Sequence, residues 1–321
     1  MGYRDRFADG PYKDHLVAFV EYKRGKGEKC GRNLLVACAR ISRSLACEAD
    51  GSGLDEAAVR KALEADEGES ETSREHRVSI MRQFCSFMCS LGTPCWKVPP
   101  RYYTAPKSMF RPHILSDEDV RSLLRAADSP VPSRGSGRRD RTAPVIARLL
   151  LSSGLRISEA LALEVDDFSA VDGTLRVTNS KNGVSRLVPL DPTMASRLSS
   201  FIDSFGADSG PVFPSPCSAG PYSYEGARHM FQSLYRRSGV RTDDGRLPRI
   251  HDLRHTFCVR SLDKMLGMGM DVYEAVPVLA AYVGHVNYAN TERYLHLTRA
   301  GHASFVESES ALGRLIPKVV V

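Results

Sequence analysis

The sequence predicts a mainly α-helical protein with one small β-sheet, divided into two domains. Apolar residues recur at the spacing of amphipathic helices through most of the chain, and Pro- and Gly-rich segments separate these stretches. Only residues 174–190 change to the alternation that is typical of strands. A length of 321 residues corresponds to two domains at about 100–200 residues each.

Four amphipathic helices are predicted in the first hundred residues. Their expected ranges are 11–25, 30–46, 54–64 and 73–92. Residues 92–101 then contain three prolines and a glycine, which a helix interior does not tolerate. We therefore expect an N-terminal domain of residues 1–97, followed by a linker of residues 98–113.

The second predicted domain covers residues 114–321. It begins with a helix that Ser116 caps and that ends near Ala127, and residues 128–142 predict a mobile basic loop. Two strands, 174–178 and 186–190, flank Asn182-Gly183 and predict a hairpin. The remaining helices are expected at 143–153, 155–163, 192–204, 223–238, 252–267, 271–283 and about 291–313.

The composition restricts the class of protein. A hydrophobic content of 42% suffices for packed cores, and no apolar run approaches the roughly 20 residues that span a bilayer. The N-terminus lacks an apolar signal core, so we expect a cytoplasmic protein without a membrane partner. A net charge of +6 permits a nucleic-acid partner without requiring one.

Six of the eight cysteines lie in the first 96 residues. They are Cys30, Cys38, Cys47, Cys85, Cys89 and Cys95, and none forms a Cys-x-x-Cys pair. We interpret them as small buried hydrophobic residues, with a metal site or a redox switch as the alternatives.

Two short segments contain side chains suited to phosphodiester chemistry. His251 and Arg254 lie three positions apart on a predicted helix and share a face. An arginine can hold two phosphate oxygens, and a histidine can move a proton beside it. Arg156 follows a Gly-Leu turn, and Glu159 lies one helical turn later, where it can orient the guanidinium.

His285 and Tyr294 form a third candidate pair, nine positions apart. On one continuous helix they would face nearly opposite sides and lie about 13.5 Å apart along the axis. The chain must therefore turn within residues 286–291 if both are to reach one phosphate. Tyr294 taken alone is equally consistent with a half-buried core tyrosine.

The order of these segments resembles the tyrosine recombinase (integrase) family. Residues 153–161 are similar to the first arginine box of that family, residues 251–257 to its second, and residues 283–294 to its nucleophile box. The resemblance covers about residues 113–313. One departure is that Arg254 and His285 are 31 positions apart, which is longer than in compact members of the family.

The resemblance implies a fold and a set of catalytic roles. Residues 1–97 would be a four-helix SAM-like core-binding domain, and residues 114–321 an α+β catalytic domain with a C-terminal helix. Tyr294 would attack DNA and form a 3′-phosphotyrosyl link, releasing a 5′-hydroxyl. Arg156 and Arg254 would clamp the non-bridging oxygens. His285 would hydrogen-bond the phosphate, and Glu159 would support the site.

Two further residues would transfer protons. The resemblance implies that His251 helps to remove the proton of the tyrosine and that Lys181, at the hairpin tip, protonates the leaving oxygen. A solvated turn lysine is the alternative for Lys181. Because the covalent link conserves the energy of the broken ester, we expect no metal ion, no ATP and no other cofactor.

The resemblance also implies partners. These are double-stranded DNA at specific recombination sites, held in a C-shaped clamp, three further copies of the chain in a tetramer, and accessory recombination proteins, in or near the nucleoid. A helix at residues 303–315 would dock on a neighbouring copy or fold back in cis. The candidate DNA-backbone contacts are Lys107, Arg111, Arg134, Arg138, Arg139 and Arg141. A plain solvated linker is the alternative for the basic loop.

Three functions are consistent with these segments. The first is site-specific recombination, such as integration or excision of a mobile element. The second is DNA relaxation of the type IB topoisomerase kind, against which the separate N-terminal domain and the trailing helix argue. The third is a catalytically silent DNA-binding protein, against which the presence of all six catalytic side chains argues.

Overall fold

The computed structural model has two compact units, Met1–Phe110 and Arg111–Val321, and each is described by itself. Its described residues are mainly helical with one three-stranded sheet, which confirms the predicted class. The structure describes residues 3–28, 30–47, 51–106, 112–129, 137–178, 185–206, 208–216, 220–285, 287 and 289–298.

The described part of the N-terminal unit contains a short 3₁₀ helix and four α-helices. They are Tyr3–Arg6, α1 (Lys13–Gly25), α2 (Arg32–Ser44), α3 (Glu56–Ala62) and α4 (Glu71–Ser90). The side chains of Asp55 and Ser70 cap α3 and α4 by accepting backbone N–H bonds. Helix α4 packs against α1 and α2, and Phe19, Met81 and Phe84 are buried in the core between them.

Residues that follow α4 pack on this same core. The backbone N–H of Trp96 donates to the carbonyl of Leu54 at 2.7 Å. Val98 is buried, and Tyr102 is half-buried against the apolar cluster. The N-terminal core therefore extends into the stretch that the sequence predicts as a linker.

The described part of the second unit contains three strands among eight α-helices. They are α5 (Asp117–Asp128), α6 (Gly137–Ser153), α7 (Ile157–Leu161), β1 (Phe168–Ser169), β2 (Thr174–Val177), β3 (Arg186–Pro189), α8 (Pro192–Asp203), α9 (Tyr224–Ser238), α10 (Ile250–Gly267), α11 (Val272–Val283) and α12 (Ala289–Glu292). The sheet is antiparallel in the order β1-β2-β3, with Leu175 opposite Val188. Strand β1 is too short to show a period of two, so the sequence does not reveal it.

Helix α6 is central to the second unit. It packs against α5, α8 and α10, and Ile146 and Leu149 are buried in the main apolar cluster. A second cluster lies between α10 and α11 and includes Leu262, Leu279 and Tyr294. None of the helices in the described ranges has both the length and the apolar character to cross a bilayer.

Two element predictions for this unit are wrong in part. Residues 137–142 belong to α6 and not to a loop, since arginine is a good helix former and tertiary packing extends the helix past its Pro144. The predicted helix 291–313 is interrupted: α12 ends at Glu292, and a 3₁₀ helix occupies Leu295–Leu297. The interruption lets Thr291 and Tyr294 both point inward. Residues 299–313 lie outside the described residues.

Candidate active site

Arg156 and Glu159 are joined by the way α7 begins. Arg156 is the N-cap residue of this helix, and its backbone N–H donates to Oε2 of Glu159 at 2.9 Å. Its guanidinium Nη1 donates to Oε1 of the same carboxylate at 2.7 Å. Burial alone would raise the pKa of Glu159, but hydrogen bonds and charge from Arg186 and Arg156 lower it to about 2. Glu159 is therefore an ionised, buried acid.

A second arginine binds the same carboxylate. Arg186, the first residue of β3, donates from Nη2 to Oε2 of Glu159 at 2.9 Å and from Nη1 to Oε1 at 3.2 Å. Its Nε donates to the carbonyl of Tyr282 at 2.9 Å. Nη1 of Arg254 lies 3.9 Å from Oε2 of Glu159. One carboxylate thus faces three guanidiniums.

Arg254, on α10, is held by backbone carbonyls from two other segments. Nη1 donates to the carbonyl of Gly154 at 2.6 Å, and Nη2 donates to that of Val283 at 2.7 Å. Burial lowers its pKa to about 10, and the charge of Arg156 adds to this effect. Within the described ranges its buried Nε has no hydrogen-bond partner, so one donor of this guanidinium is unused.

Two glycines allow these segments to meet. Gly154 has φ +61°, and a Cβ there would lie 2.2 Å from Cδ1 of Phe257. Gly284 has φ +69°, and a Cβ there would lie 2.9 Å from Nη1 of Arg186. The carbonyl of Gly284 also accepts a bond from Nη2 of Arg156 at 3.2 Å. A side chain at either position would separate groups that now touch.

His251 and His255 lie one turn apart on α10, with their ring centroids 4.6 Å apart at 88°. His251 is an exposed residue, yet the protein atoms around its ring lower its pKa to about 4 by desolvation, and the charges of Arg254 and Arg249 lower it further. His255 is buried, which lowers its pKa to about 3, with a further contribution from His251. Both imidazoles are therefore neutral at pH 7.

Tyr294 is only 2% exposed, and its hydroxyl lies 2.8 Å from Nδ1 of His255. Burial raises the pKa of this phenol above its ordinary value, and the adjacent Cys258 raises it further. The pKa of the Cys258 thiol is itself raised to about 11, mainly by burial. A protonated phenol beside a neutral imidazole donates its hydrogen bond to Nδ1.

His285 follows the left-handed turn at Gly284, and the chain turns between it and Tyr294 as the sequence predicts. Its Nδ1 lies 2.9 Å from Oγ1 of Thr291, and its ring stacks on Tyr294 with a centroid distance of 6.4 Å. Burial lowers its pKa to about 4, and the charges of Arg254 and Arg156 contribute.

The structure brings together most of the residues that the sequence singles out. Arg156, Glu159, Arg254, His285 and Tyr294 are linked by the contacts above, and the charges of both arginines act on His251. Lys181 lies outside the described residues. So do Lys107, Arg111 and Arg134, and the side chain of Arg138.

The two remaining candidates for DNA contact, Arg139 and Arg141, donate hydrogen bonds to backbone carbonyls of the second unit. Nη2 of Arg139 donates to the carbonyl of His229 at 3.3 Å. Nη2 of Arg141 donates to that of Ser204 at 3.1 Å, and its guanidinium lies 4.8 Å from the centre of the Phe205 ring. A DNA contact by either arginine stays a prediction.

Three residues of this site are not singled out by the sequence. His255 shares a helix face with His251 at a spacing of four, and this signal could have identified it. Arg186 and Cys258 carry no local signal, because each meets its partner only through tertiary packing. In the described part of the chain, no group of three His, Cys, Asp or Glu side chains could hold a metal ion.

The chain is similar to known proteins over most of its length. Residues 113–300 match the model of the phage integrase family. The integrase/recombinase y4rE of Sinorhizobium fredii is 30% identical over 76% of this chain and 80% of its own length. The tyrosine recombinase XerD of Caulobacter vibrioides is 28% identical over 77% of this chain and 78% of its own length.

Solved structures show the same fold at low sequence identity. XerH site-specific recombinase, in a post-cleavage complex with its difH substrate, matches with a TM-score of 0.66 and 15% identity, over 96% of this chain and 98% of that one. A lambda integrase dimer bound to a core site matches with a TM-score of 0.64 and 20% identity, over 88% of this chain and 76% of that one.

Proposed function

The chain belongs to the phage integrase family, and from that we propose that it is a site-specific DNA recombinase that cuts and rejoins strands through a covalent 3′-phosphotyrosyl intermediate. One observation carries the proposal. Arg254 binds the carbonyl of Gly154, two positions before Arg156, and both arginines bind carbonyls at the end of α11. Beside them lies a tyrosine whose hydroxyl donates to a neutral imidazole. This set of groups can hold a phosphodiester and attack it.

The proposed reaction exchanges one ester for another. The phenolic oxygen of Tyr294 bonds to phosphorus, the bond from phosphorus to the 5′-oxygen breaks, and that oxygen leaves as a hydroxyl. A 5′-hydroxyl of another strand then attacks the phosphotyrosine and restores the diester. Arg156 and Arg254 stabilise the charge that develops on the non-bridging oxygens. We assign this contact to the unused Nε donor of Arg254. Because Arg254 is only 1% exposed, the contact requires the site to open, as the burial of Tyr294 also does.

Two proton transfers accompany the first step. His255 accepts the hydrogen bond of the phenol before cleavage. We infer from the sequence resemblance that His251 accepts the proton when the phenol attacks. The negative charge of a bound phosphate raises the pKa of His251 and improves it as a base. Lys181 would give its proton to the leaving 5′-oxygen, a role that rests on the sequence resemblance.

The burial of Tyr294 implies a conformational step before cleavage. At 2% exposure its hydroxyl cannot touch a DNA phosphate. The segment that carries it consists of the short helix α12 and a single 3₁₀ turn, and the backbone N–H groups of Tyr294, Leu297 and Thr298 donate to carbonyls within the segment itself. We propose that this segment moves when DNA binds, so that the phenol leaves His255 and reaches the phosphate.

We also propose that the protein acts as a tetramer on two DNA sites and that the N-terminal unit is its core-binding DNA domain. A groove with a volume of about 630 Å³ supports the tetramer as a docking surface. Its lining includes the apolar side chains of Val272, Val276 and Leu295 and the polar side chains of Asp271, Glu292 and His296. The predicted helix at residues 303–315 is the proposed occupant. Crosslinking of a chain truncated after residue 300, on DNA, should show loss of tetramers, and unchanged tetramers would contradict this docking.

Cleavage of a nicked suicide substrate tests the proposed function. The substrate is made from the ends of the element that encodes the protein, and covalent protein–DNA complexes are detected on denaturing gels. We expect a complex with the wild type and with Tyr235→Phe, which alters another buried tyrosine, and none with Tyr294→Phe.

The other outcomes separate the alternative functions. A complex that persists in Tyr294→Phe would assign the nucleophile to another residue. Binding without a complex in any variant would support a silent DNA-binding protein. Relaxation of a supercoiled plasmid that lacks the recombination site would support a topoisomerase-like activity.

A further inference from the structure

Arg186 has no assigned role, although its side chain lies in the centre of the site. It is 10% exposed on average over its side-chain atoms and makes two hydrogen bonds to Glu159 and one to the carbonyl of Tyr282. Arginine side chains are ordinarily exposed to solvent, as that of Arg176 on β2 is at 57%. Arg186 is therefore unusual for an arginine in being largely buried and held by three hydrogen bonds.

The first consequence of these bonds is the orientation of Arg156. Glu159 binds Arg156 through its backbone N–H and its guanidinium, at 2.9 and 2.7 Å. Because Arg186 bonds both oxygens of that carboxylate, the plane of the carboxylate is fixed. The fixed carboxylate holds Nη1 of Arg156, and Nη2 donates to the carbonyl of Gly284 at 3.2 Å, so the guanidinium is held in one orientation with its side chain 18% exposed.

The second consequence is the position of the turn that carries His285. Nε of Arg186 bonds the carbonyl of Tyr282 in the last turn of α11, and its Nη1 fills the space where Gly284 lacks a side chain. Arg186 is also the first residue of β3, which pairs with β2 in the sheet. The side chain of Arg186 thus joins its own strand, β3, to α7 and to the end of α11.

We propose that Arg186 is a positioning residue of the active site, which orients Arg156 through Glu159 and holds the Gly284-His285 turn in place. The inference rests on the proposed recombinase function. Arg186 itself touches no reacting atom. Lysine cannot replace it, because an ammonium on a flexible stem lacks the planar fork that makes these three bonds at once.

The expected signature is slow chemistry with unchanged DNA binding. A displacement of about 1 Å in a catalytic group costs about 100-fold in rate. We expect Arg186→Lys to slow single-turnover cleavage by about that factor at saturating protein. The apparent Kd and its salt dependence should stay at the wild-type values, because no phosphate contact is lost.

The experiment uses the full chain and the nicked suicide substrate, with Arg176→Lys as the matched control. Arg176 lies in the same sheet and has its own carboxylate partner, Asp167, at 3.1 Å. Cleavage rates are measured for the wild type, Arg186→Lys and Arg176→Lys, and circular dichroism checks that each variant is folded. Arg186→Gln provides a second variant if Arg186→Lys does not fold.

A substrate with a neutral methylphosphonate at the scissile position separates positioning from a general structural defect. This group removes the charge that Arg156 stabilises. On this substrate the cleavage rate of Arg186→Lys should therefore be closer to that of the wild type than on the ordinary phosphodiester. A variant that is merely less well folded would be slowed equally on both substrates, and that result would contradict the inference.

Combination with Glu159→Gln tests the route of the effect. If Arg186 acts through the carboxylate, the two changes together should cost little more than the larger single change. Multiplicative costs, or an Arg186→Lys rate equal to that of the wild type, would overturn the inference. Absence of any covalent complex with the wild type would instead refute the proposed function.

Discussion

Glu159 illustrates at the scale of one residue how burial and charge compete. Desolvation favours the protonated acid, whereas the neighbouring guanidiniums favour the carboxylate, and the pKa of about 2 shows that the guanidiniums dominate. The folded-state pKa is below the unfolded value. The stability that results is therefore present above about pH 4.5 and is lost as the pH falls towards 2.

Glu159→Gln should destabilise the catalytic unit by about 3–5 kcal/mol, because removal of one partner leaves buried guanidiniums without a counter-charge. Urea unfolding at pH 7 measures this change. The matched control is Glu225→Gln, which removes the exposed ion pair to Arg228 and should change stability little. Equal effects of the two substitutions would show that the Glu159 network contributes no more than a surface pair.

The pH dependence of stability should depend on His255. Its folded-state pKa of about 3 lies below its ordinary value of 6.5. The unfolded chain therefore takes up the proton first, and the free energy of unfolding falls as the pH drops from about 6.5 to about 3. His255→Gln should reduce the slope of unfolding free energy against pH, between pH 6 and 4, by about 1 kcal/mol per pH unit.

The single tryptophan provides an internal control for this measurement. Trp96 packs on the core of the N-terminal unit, so its fluorescence follows that unit, whereas circular dichroism follows both. His255→Gln should change the pH dependence of the dichroism transition and leave the fluorescence transition in place. An unchanged dichroism slope would mean that His255 titrates as freely in the folded protein as in the unfolded chain.

At the scale of elements, the ends of two helices decide where the catalytic groups lie. Gly154 ends α6 and offers its carbonyl to Arg254, while Gly284 ends α11 and offers its carbonyl to Arg156. Orphan carbonyls at helix ends need partners, and here the two arginines supply them. The arginines are thereby fixed by the same bonds that complete the helices.

Gly154→Ala should be more damaging than Gly239→Ala, although both glycines follow helices at positive φ. A Cβ at Gly154 would meet Phe257 at 2.2 Å, whereas a Cβ at Gly239 would meet nothing within 4 Å. We expect about 1 kcal/mol of destabilisation at Gly239 and about 2–4 kcal/mol at Gly154. Thermal unfolding measures both, and equal losses would show that Phe257 moves aside without cost.

The elements also show how far sequence reasoning reaches. Helices with an apolar stripe, such as α4 and α10, begin and end within a few residues of the predicted positions. The start of α6 and the break after α12 are not predicted, because packing of side chains from distant segments overrides local propensity there.

At the scale of the whole molecule, recombination requires DNA binding through many phosphates. Neutralised phosphates release counterions, so affinity falls steeply as salt rises. For six to ten phosphate contacts we expect a loss of about 10³–10⁵ in affinity between 50 and 200 mM salt. Fluorescence anisotropy with a labelled duplex measures the slope, and an affinity that is independent of salt would contradict a large DNA interface.

The sequence by itself determined the family, the class of chemistry and the helical architecture. These are written in short local patterns: the arginine and histidine boxes, the Gly-His turn, and apolar residues at a period of 3.6. Tertiary structure alone decided that Tyr294 is buried against His255, 39 positions away, and that Arg186 binds Glu159, 27 positions away. The physical reason is that local patterns encode which face of an element is apolar, whereas the partner of a buried polar group depends on how the elements pack.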